Sequence, residues 1–396
     1  MDFWYTLRKC NRQSVDEINT MLYYKHVLKN KVGECMTNRE KEIYDLIREN
    51  PMITQQEIAD QLGIQRSSVA VHILNLSRKG MILGKGYILK EGAYALVIGG
   101  ANVDIIGFPS QVLNMEDSNP GKIKMSMGGV GRNIAENLSR LGITTKMLTA
   151  IGNDVYGKKI LEEARMVDLD LSKALVLDHY STSIYMSILD DAGDMKLAMS
   201  DMDITDQISV DYLSKYGKLI AGATVVVLDT NLSRAVLEYL MSNFPNTAFF
   251  VDTVSAAKSE KIKGLLGHIH TLKPNRIEAE QMTGVKVNTV EDAKIALQRF
   301  QELGVKRTYI SLGTQGIVWG DGVETGVYHP TQVEMVNATG AGDAFMAGLV
   351  YGFMEGFETE TAIAFAASAS ALAVQSEETI NPELSQARVL NYMKEE

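Results

Sequence analysis

Asp343 stands in "NATGAGDAF", residues 337–345, behind two glycines and a run of small residues and ahead of an apolar stretch that reads as helix. A helix beginning near Ala341 leaves its first amide N–H groups without intrahelical partners, and its dipole adds partial positive charge there. Such an end binds anions. Gly340 and Gly342 let the backbone approach a bulky polyanion, which a Cβ would prevent. A carboxylate at Asp343 is then placed to take a proton from a hydroxyl attacking a phosphoryl group. Tight packing with an ordinary helix-capping Asp explains the same nine residues, so this stretch alone leaves both readings open.

Three further stretches bear on the choice. "GGVGRNIAENLSRLG", residues 128–142, sets Gly128 and Gly129 before a second helix start, with Asn133 in its first turn. "KPNRIEAE" places Asn275 and Glu278 on one helical face, where they can serve a phosphate-bound magnesium or its waters, although a solvated face has the same pattern. "SLGTQG", residues 311–316, is a strand-to-turn element suited to lie against a nucleotide. Each is weak by itself, and their conjunction in this order points to phosphoryl transfer.

The elements that must position these residues alternate. From Tyr94 onward, apolar runs such as "ALVIGG", "TVVVLDT", "AFFVDT", "IHTLK" and "RTYISLG" are separated by helical stretches, which predicts a mostly parallel sheet with helices on both faces. Ligands gather at the carboxyl ends of such strands, where Asp104, Asp229, Asp252, Asn275 and Gly313 are expected. Two stretches, at about 105–127 and 176–202, break the alternation. The second has period-two patterning around Asp191-Ala192-Gly193, and together they predict a small β lid over the site.

Composition limits the alternatives. The 396 residues, 45% hydrophobic and 22% charged, suffice for a large core and a smaller domain. No long apolar run and no basic-then-apolar leader appears, so the expectation is a cytoplasmic protein without a membrane segment. Cys10 and Cys35 are the only cysteines, which excludes disulfides and thiolate metal sites from the rest of the chain. Charge is uneven. Residues 36–90 carry eight Lys/Arg against six Asp/Glu and residues 91–396 carry 25 against 39, so two regions with different partners are expected.

Residues 1–35 read as an extension of unknown role or a small helical dimerisation element. Residues 36–91 read as three helices and a hairpin. Ile43, Leu46 and Ile47 mark the first helix, and Thr54 with Glu57 forms a capping box for the second. Gly63 supplies a turn, and Gln65 or Ser67 opens a third helix that buries Val69, Ile73 and Leu76. Its polar positions are Arg66, Ser67, Ser68, His72, Asn75 and Arg78. Gly84-Lys85-Gly86 predicts a wing hairpin. This module resembles a winged helix-turn-helix DNA-binding domain, which implies DNA contacts from Arg66, Ser67, Ser68, His72, Arg78 and Lys85; a helical protein-interaction module is the alternative. With few net positive charges, one copy would bind DNA weakly and a homodimer is expected.

Residues 92–396 resemble the ribokinase-like (PfkB-type) sugar and nucleoside kinases, "GGVGRNIAENLSRLG" matching their first signature and "NATGAGDAF" their second. Within that family the likeness extends to pseudouridine kinases through "ANVDIIG", "DSNPGKIKMSMGGVGRNIAENL", "FVDTVSAAK" and "IHTLKPNRIEAE". The resemblance implies a three-layer αβα sandwich with a β lid, and transfer of a phosphoryl group from ATP, with Mg2+, to the 5′-hydroxyl of a nucleoside, pseudouridine by preference. It implies Asp343 as catalytic base, with Gly340, Ala341 and Gly342 as the anion hole. Asn102 and Asp104 would hold ribose hydroxyls, assisted by Gly128, Gly129 and Asn133. Ser118, Thr182, Tyr185 and Asn231 would approach the base. Asn275 and Glu278 would organise magnesium through water, and Lys273 would neutralise phosphate. Gly313, Thr314 and Gly316 would flank ATP, with Ala366, Ala369 and Ser370 at the adenine. Many sugar kinases of this type carry Asp at the position of Asn337, where it supports a monovalent cation; Asn337 cannot supply that charge. Two other functions share these residues: a kinase for a different nucleoside or sugar, and a DNA-binding regulator whose kinase-like domain senses a nucleoside.

Overall fold

The computed structural model describes residues 36–51, 53–82, 92–331 and 333–395. They fall into two compact units, the chain passing from one to the other between Gly92 and Ala93. The extension at 1–35 and the wing with Lys85 lie outside the described residues.

The amino-terminal unit has three helices. Thr37 and Glu40 form a reciprocal capping box ahead of Asn38–Glu49, and Thr54 and Glu57 do the same ahead of Gln55–Leu62. Gly63, in the left-handed region at φ 63°, ends the second helix, and the third, Arg66–Arg78, opens at Gln65. Ile43, Ile47, Ile58, Val69, Ile73 and Leu76 close a small core, against which Leu46 packs only partly buried. Arg66, Ser67, Ser68 and Arg78 are exposed as expected, whereas His72 and Asn75 are half-buried. Their place on the outward face is taken by Val71 and Leu74, both exposed. The buried Glu40 carboxylate pairs with Lys79 at 2.8 Å, tying the end of the third helix to the start of the first.

Fourteen strands shape the described part of the second unit: β1 Ala95–Ile98, β2 Asn102–Pro109, β3 Gly121–Gly128, β4 Thr145–Leu148, β5 Ala150–Gly152, β6 Leu175–Leu177, β7 Ser183–Leu189, β8 Met195–Asp201, β9 Val225–Asp229, β10 Phe249–Asp252, β11 Thr271–Lys273, β12 Arg307–Ser311, β13 Ile317–Gly320 and β14 Thr325–Tyr328. Eight form the central sheet in the order β14-β13-β12-β11-β10-β9-β1-β4. The six from β12 to β4 are parallel, and β13 and β14 turn back antiparallel at the edge. Every residue of β1, β9, β10 and β11 is buried, as apolar strands covered on both faces require.

The lid is a four-stranded sheet, β3-β2-β7-β8. β7 and β8 form the expected hairpin, turning at Gly193 with φ 87°. The lid begins earlier than position 105, because β2 contains Asn102 and Asp104. Asp104 is therefore inside a lid strand and not at the carboxyl end of a central one. Residues 175–177 pair with β5 in a separate two-stranded sheet and lie outside the lid. Register sets Ser126, Asp104, Tyr185 and Ser200 in one row across the lid. The next row, Met125, Ile105, Met186 and Met199, alternates to the opposite face, where all three methionines are exposed. No helix among the described residues is long and apolar enough to cross a membrane.

Burial pushes the Glu40 carboxyl upward, but Lys79 and the Thr37 hydrogen bonds outweigh it and hold the group below its ordinary value. Lys79→Met is expected to destabilise the three-helix unit by about 1–2 kcal/mol at neutral pH. Because the folded value is the lowered one, that contribution is complete above the unfolded value and fades as pH falls through the folded one. Native-state hydrogen exchange of the three helices, compared at neutral and acidic pH, measures both.

Candidate active site

Two helix starts converge. Gly129, at φ 99°, caps the helix Val130–Arg140, and Gly340, at φ 84°, caps the helix Ala341–Glu355. Their first turns are joined by a hydrogen bond in which Asn133 Nδ2 donates to Asp343 Oδ2 at 2.8 Å, both residues being buried. Two predicted segments far apart in sequence thus present a hydrogen-bonded amide and carboxylate at one point. Gly342, beside Asp343, is exposed, so the start of that helix is open to solvent.

The glycines at this junction have internal reasons. A Cβ on Gly340 would run into the carbonyl of Thr379, so the absence of a side chain there serves packing as well as approach by an anion. A Cβ on Gly128 would collide with the Asp104 carboxylate, and one on Gly129 would sit 2.7 Å from the Gly100 carbonyl oxygen and 2.8 Å from Asn102 Oδ1. Asn102 Nδ2 donates to Asp104 Oδ1 at 2.6 Å. Asn102, Asp104, Gly128, Gly129, Asn133 and Asp343 are therefore linked in one run from the lid to the helix starts. Burial raises the Asp104 carboxyl above its ordinary value, against the opposing effects of Asn102 and Arg132.

Acidic residues at the ends of β9 and β10 and a lysine at the end of β11 support this junction. Asp229 is buried and accepts from the amides of Gly100 (2.8 Å), Gly131 (3.0 Å) and Asn231 (2.8 Å). Asp252 Oδ2 pairs with Lys273 Nζ at 3.1 Å, and its Oδ1 accepts from the Val254 amide at 2.8 Å. A Cβ on Gly342 would lie 3.1 Å from the same Nζ, which places the ammonium against the Asp343 helix start. Burial works to deprotonate Lys273, but Asp252, Asp343 and Glu278 outweigh it and raise its pKa. Burial, and then the charge of Asp252, lifts Asp343 to about 8, with Asn133 and Lys273 opposing.

Other predicted residues are placed differently. Asn275 and Glu278 form a capping box: Glu278 Oε2 accepts from the Asn275 amide (2.8 Å) and from Thr253 Oγ1 (2.5 Å), while Asn275 Oδ1 accepts from the Glu278 amide (3.0 Å). No group of three or more His, Cys, Asp or Glu side chains among the described residues could hold a metal ion directly. This donor set fits magnesium held through water and substrate oxygens, as that ion prefers. Gly313, Thr314 and Gln315 form an exposed turn after β12, and Gly316, at φ 103°, leads into β13. Thr182 is fully buried, its hydroxyl donating to Asp154 Oδ1 (2.8 Å) and accepting from the Gly152 amide (3.0 Å); it anchors the entry to β7 and does not face an open site. Ser118 lies on the exposed β2–β3 loop. Ala366 and Ala369 have no exposed surface, and Ala366 fills the space left by Gly348, so these two pack helices together and are not open to adenine. Ser370 Oγ donates to the Ala341 carbonyl at 3.0 Å, steadying the Asp343 helix from behind. Asn231 is half-buried, its Oδ1 accepting from Lys258 Nζ at 2.6 Å. Asn337 Nδ2 donates to the Glu377 carbonyl at 3.4 Å.

Sequence reasoning named Asp229 and Asp252 without roles and missed Arg132. The signal for the first two was the repeated Asp-Thr ending of consecutive strands, "LDT" and "VDT". The buried Arg132 donates to the Met127 carbonyl at 2.9 Å and pairs with Glu136 and Glu163, bracing the end of β3 against the helix.

The pfkB family carbohydrate kinase profile matches residues 93–386, and the winged helix-turn-helix DNA-binding profile matches residues 36–82. The chain is 40% identical to the pseudouridine kinase of Escherichia coli strain K12 over 307 residues, which is 77% of this chain and 98% of that protein. It is equally identical to YeiI, an uncharacterised sugar kinase of the same strain, over 358 residues, 90% of this chain and 99% of that one. That span exceeds the kinase unit and so continues into the amino-terminal one. A crystal structure of a putative sugar kinase from Clostridium perfringens, 37% identical, superposes with a TM-score of 0.70 over 77% of this chain and 96% of that chain. The protein belongs to the pfkB family of carbohydrate kinases, phosphotransferases with an alcohol acceptor, and carries an amino-terminal winged helix-turn-helix.

Proposed function

We propose that the protein transfers the γ-phosphoryl group of ATP, with Mg2+, to the 5′-hydroxyl of pseudouridine. The observation that carries the chemistry is the 2.8 Å bond between Asn133 and Asp343, which sets a proton acceptor where two glycine-led helix starts meet. The choice of acceptor is supported by 40% identity to a pseudouridine kinase along 98% of its length.

In this reading Asp104 and Asn102 hold the ribose from the lid side, Asp104 accepting from its hydroxyls. Asp343 accepts the proton of the attacking hydroxyl. The amides opening the Ala341 helix, with Lys273 beside them, stabilise charge on the phosphoryl oxygens. Magnesium, when bound, neutralises phosphate charge; Asn275 and Glu278 would hold it through water. The row of Ser126, Asp104, Tyr185 and Ser200 is the lid face assigned to the acceptor, and lid closure excludes water. The opposite face, with Met125, Met186 and Met199 exposed, supports self-association as a homodimer. The setting proposed is the cytoplasm, where ATP is available.

A second reading keeps the chemistry and adds regulation. The exposed Arg66, Ser67, Ser68 and Arg78 on the third helix support DNA contact. Coupling between nucleoside and DNA would be reciprocal.

Asp343→Asn is expected to lower kcat by about a thousandfold while nucleoside and nucleotide affinity change only a few-fold; a loss below tenfold refutes the base assignment. Since burial and the charge of Asp252 raise Asp343 well above the ordinary carboxylate range, kcat/KM should climb with pH beyond that range and level off once Asp343 is ionised. Across pseudouridine, uridine, inosine, adenosine and ribose, pseudouridine should give the highest kcat/KM. A preference for another acceptor would leave the kinase chemistry standing and reassign the substrate. Titration onto the upstream DNA of its own gene, with and without nucleoside at low salt, should show a ligand-dependent affinity; no effect removes the regulatory reading.

A further inference from the structure

Asn137 follows Asn133 by one helical turn on the Val130–Arg140 helix, so the two side chains share a face. It is 1% exposed, and neither its Nδ2 nor its Oδ1 has a hydrogen-bond partner in the protein. Asn133 has the same deficit at one end: Nδ2 serves Asp343, and Oδ1 is buried and unpaired. Three amide atoms within one turn thus lack partners, in a helix that packs against the helix carrying Asp343. An amide sealed from water without partners is strongly disfavoured, and native structures satisfy such groups with ordered water.

We infer that Asn137 is a positioning residue for Asp343: it holds buried water that donates to Asn133 Oδ1 and so keeps the Asn133 N–H turned toward the carboxylate. The hydrogen bonds balance with two waters, one accepting from Asn137 Nδ2 and donating to Asn133 Oδ1, the other donating to Asn137 Oδ1. The need for this support follows from the ambiguity of an amide. An ionised Asp343 selects the N–H end of Asn133 unaided, but a protonated one can donate to Oδ1 equally well. The geometry shows one end of the Asn133 amide on Asp343 and the other end buried without a partner. A donor on Asn133 Oδ1 polarises that amide, so its N–H holds the ionised, proton-accepting form of Asp343 more strongly than an amide with a bare Oδ1 would.

The other charged groups acting on Asp343 come from the central sheet: Asp252 at the end of β10, Asp229 at the end of β9 and Lys273 at the end of β11. Arg132 and Glu136, on the same helix as Asn137, are engaged with Glu163, Arg140 and the Met127 carbonyl.

The inference rests on Asp343 as base, and its test separates the two. Asn137→Leu removes both amide atoms and expels water; Asn137→Ser keeps a hydroxyl able to hold it. In the full-length protein Asn137→Leu should move the acidic limb of kcat/KM upward by about half a pH unit or more and lower kcat at pH 7 about three- to tenfold. Asn137→Ser should restore the limb. A folded Asn137→Leu protein with an unmoved limb, or equal shifts in both variants, overturns the assignment, because packing alone would act through stability. If Asn137→Leu does not fold, a high-resolution crystal structure of the unsubstituted protein decides: ordered water between the two amides upholds it, and dry amides overturn it. Should Asp343→Asn keep its rate, the base reading fails, and the crystallographic water still decides what Asn137 holds.

Discussion

The fold has to keep several carboxylates out of water, three of them around the Lys273 ammonium. Asp229, Asp252, Glu278 and Asp343 are all buried, and Lys273 is the cation set among Asp252, Glu278 and Asp343. Transferring unpaired ions to an apolar interior costs far more than any fold can offset, so each must be matched by donors. Asp252 takes the lysine and the Val254 amide, Glu278 takes a capping amide and Thr253, and Asp343 takes Asn133. Asp229 takes three backbone amides instead.

That last choice carries structural consequences. Its donors come from the loop after β1, from the helix start after β3 and from the turn after its own strand. One carboxylate therefore fixes the relative position of the lid's root and the Asn133 helix. The cost appears at glycine positions: a Cβ on Gly99 would strike the Asp229 carboxylate, and one on Gly131 would lie 2.9 Å from it. The glycine pattern around the Asn133 helix start thus follows from seating Asp229 as well as from any approach of a ligand. At the other helix start Lys273 plays the corresponding part, reaching from β11 to the open end of the Asp343 helix.

Much of this was legible in the sequence because local rules and global packing agree. The capping pair Thr54–Glu57, the apolar strands and the two glycine-led helix starts all write their structure within a few residues. What escaped the sequence was pairing across the fold. Nothing local in "TLK" tells Lys273 to meet Asp252, and nothing in "GGVGRN" says that Arg132 turns back to Met127. Small or hydroxyl-bearing residues were the weakest guides: Thr182, Ala366 and Ala369 suit a ligand pocket and a packed interior equally, and here they are interior. The Asn275–Glu278 pair shows the same degeneracy, since a capping box and a solvent-mediated magnesium site can use the same two residues.

The protonation of Asp343 is where these constraints would reach the proposed chemistry. A general base works best when its basicity is high yet its ionised form is still populated, and the two demands pull apart. Burial and the neighbouring Asp252 raise basicity; Asn133 and Lys273 preserve ionisation. A carboxylate near the surface would be ionised but feeble, and one buried without these donors would hold its proton through the physiological range. Placing Asp343 in the first turn of a helix supplies a further stabilising field from the amide dipoles without adding a second cation that would blunt its basicity. In the proposed role of Asp343 as base, the geometry is a compromise held by one amide and one ammonium, which the glycine-led helix start alone would not provide.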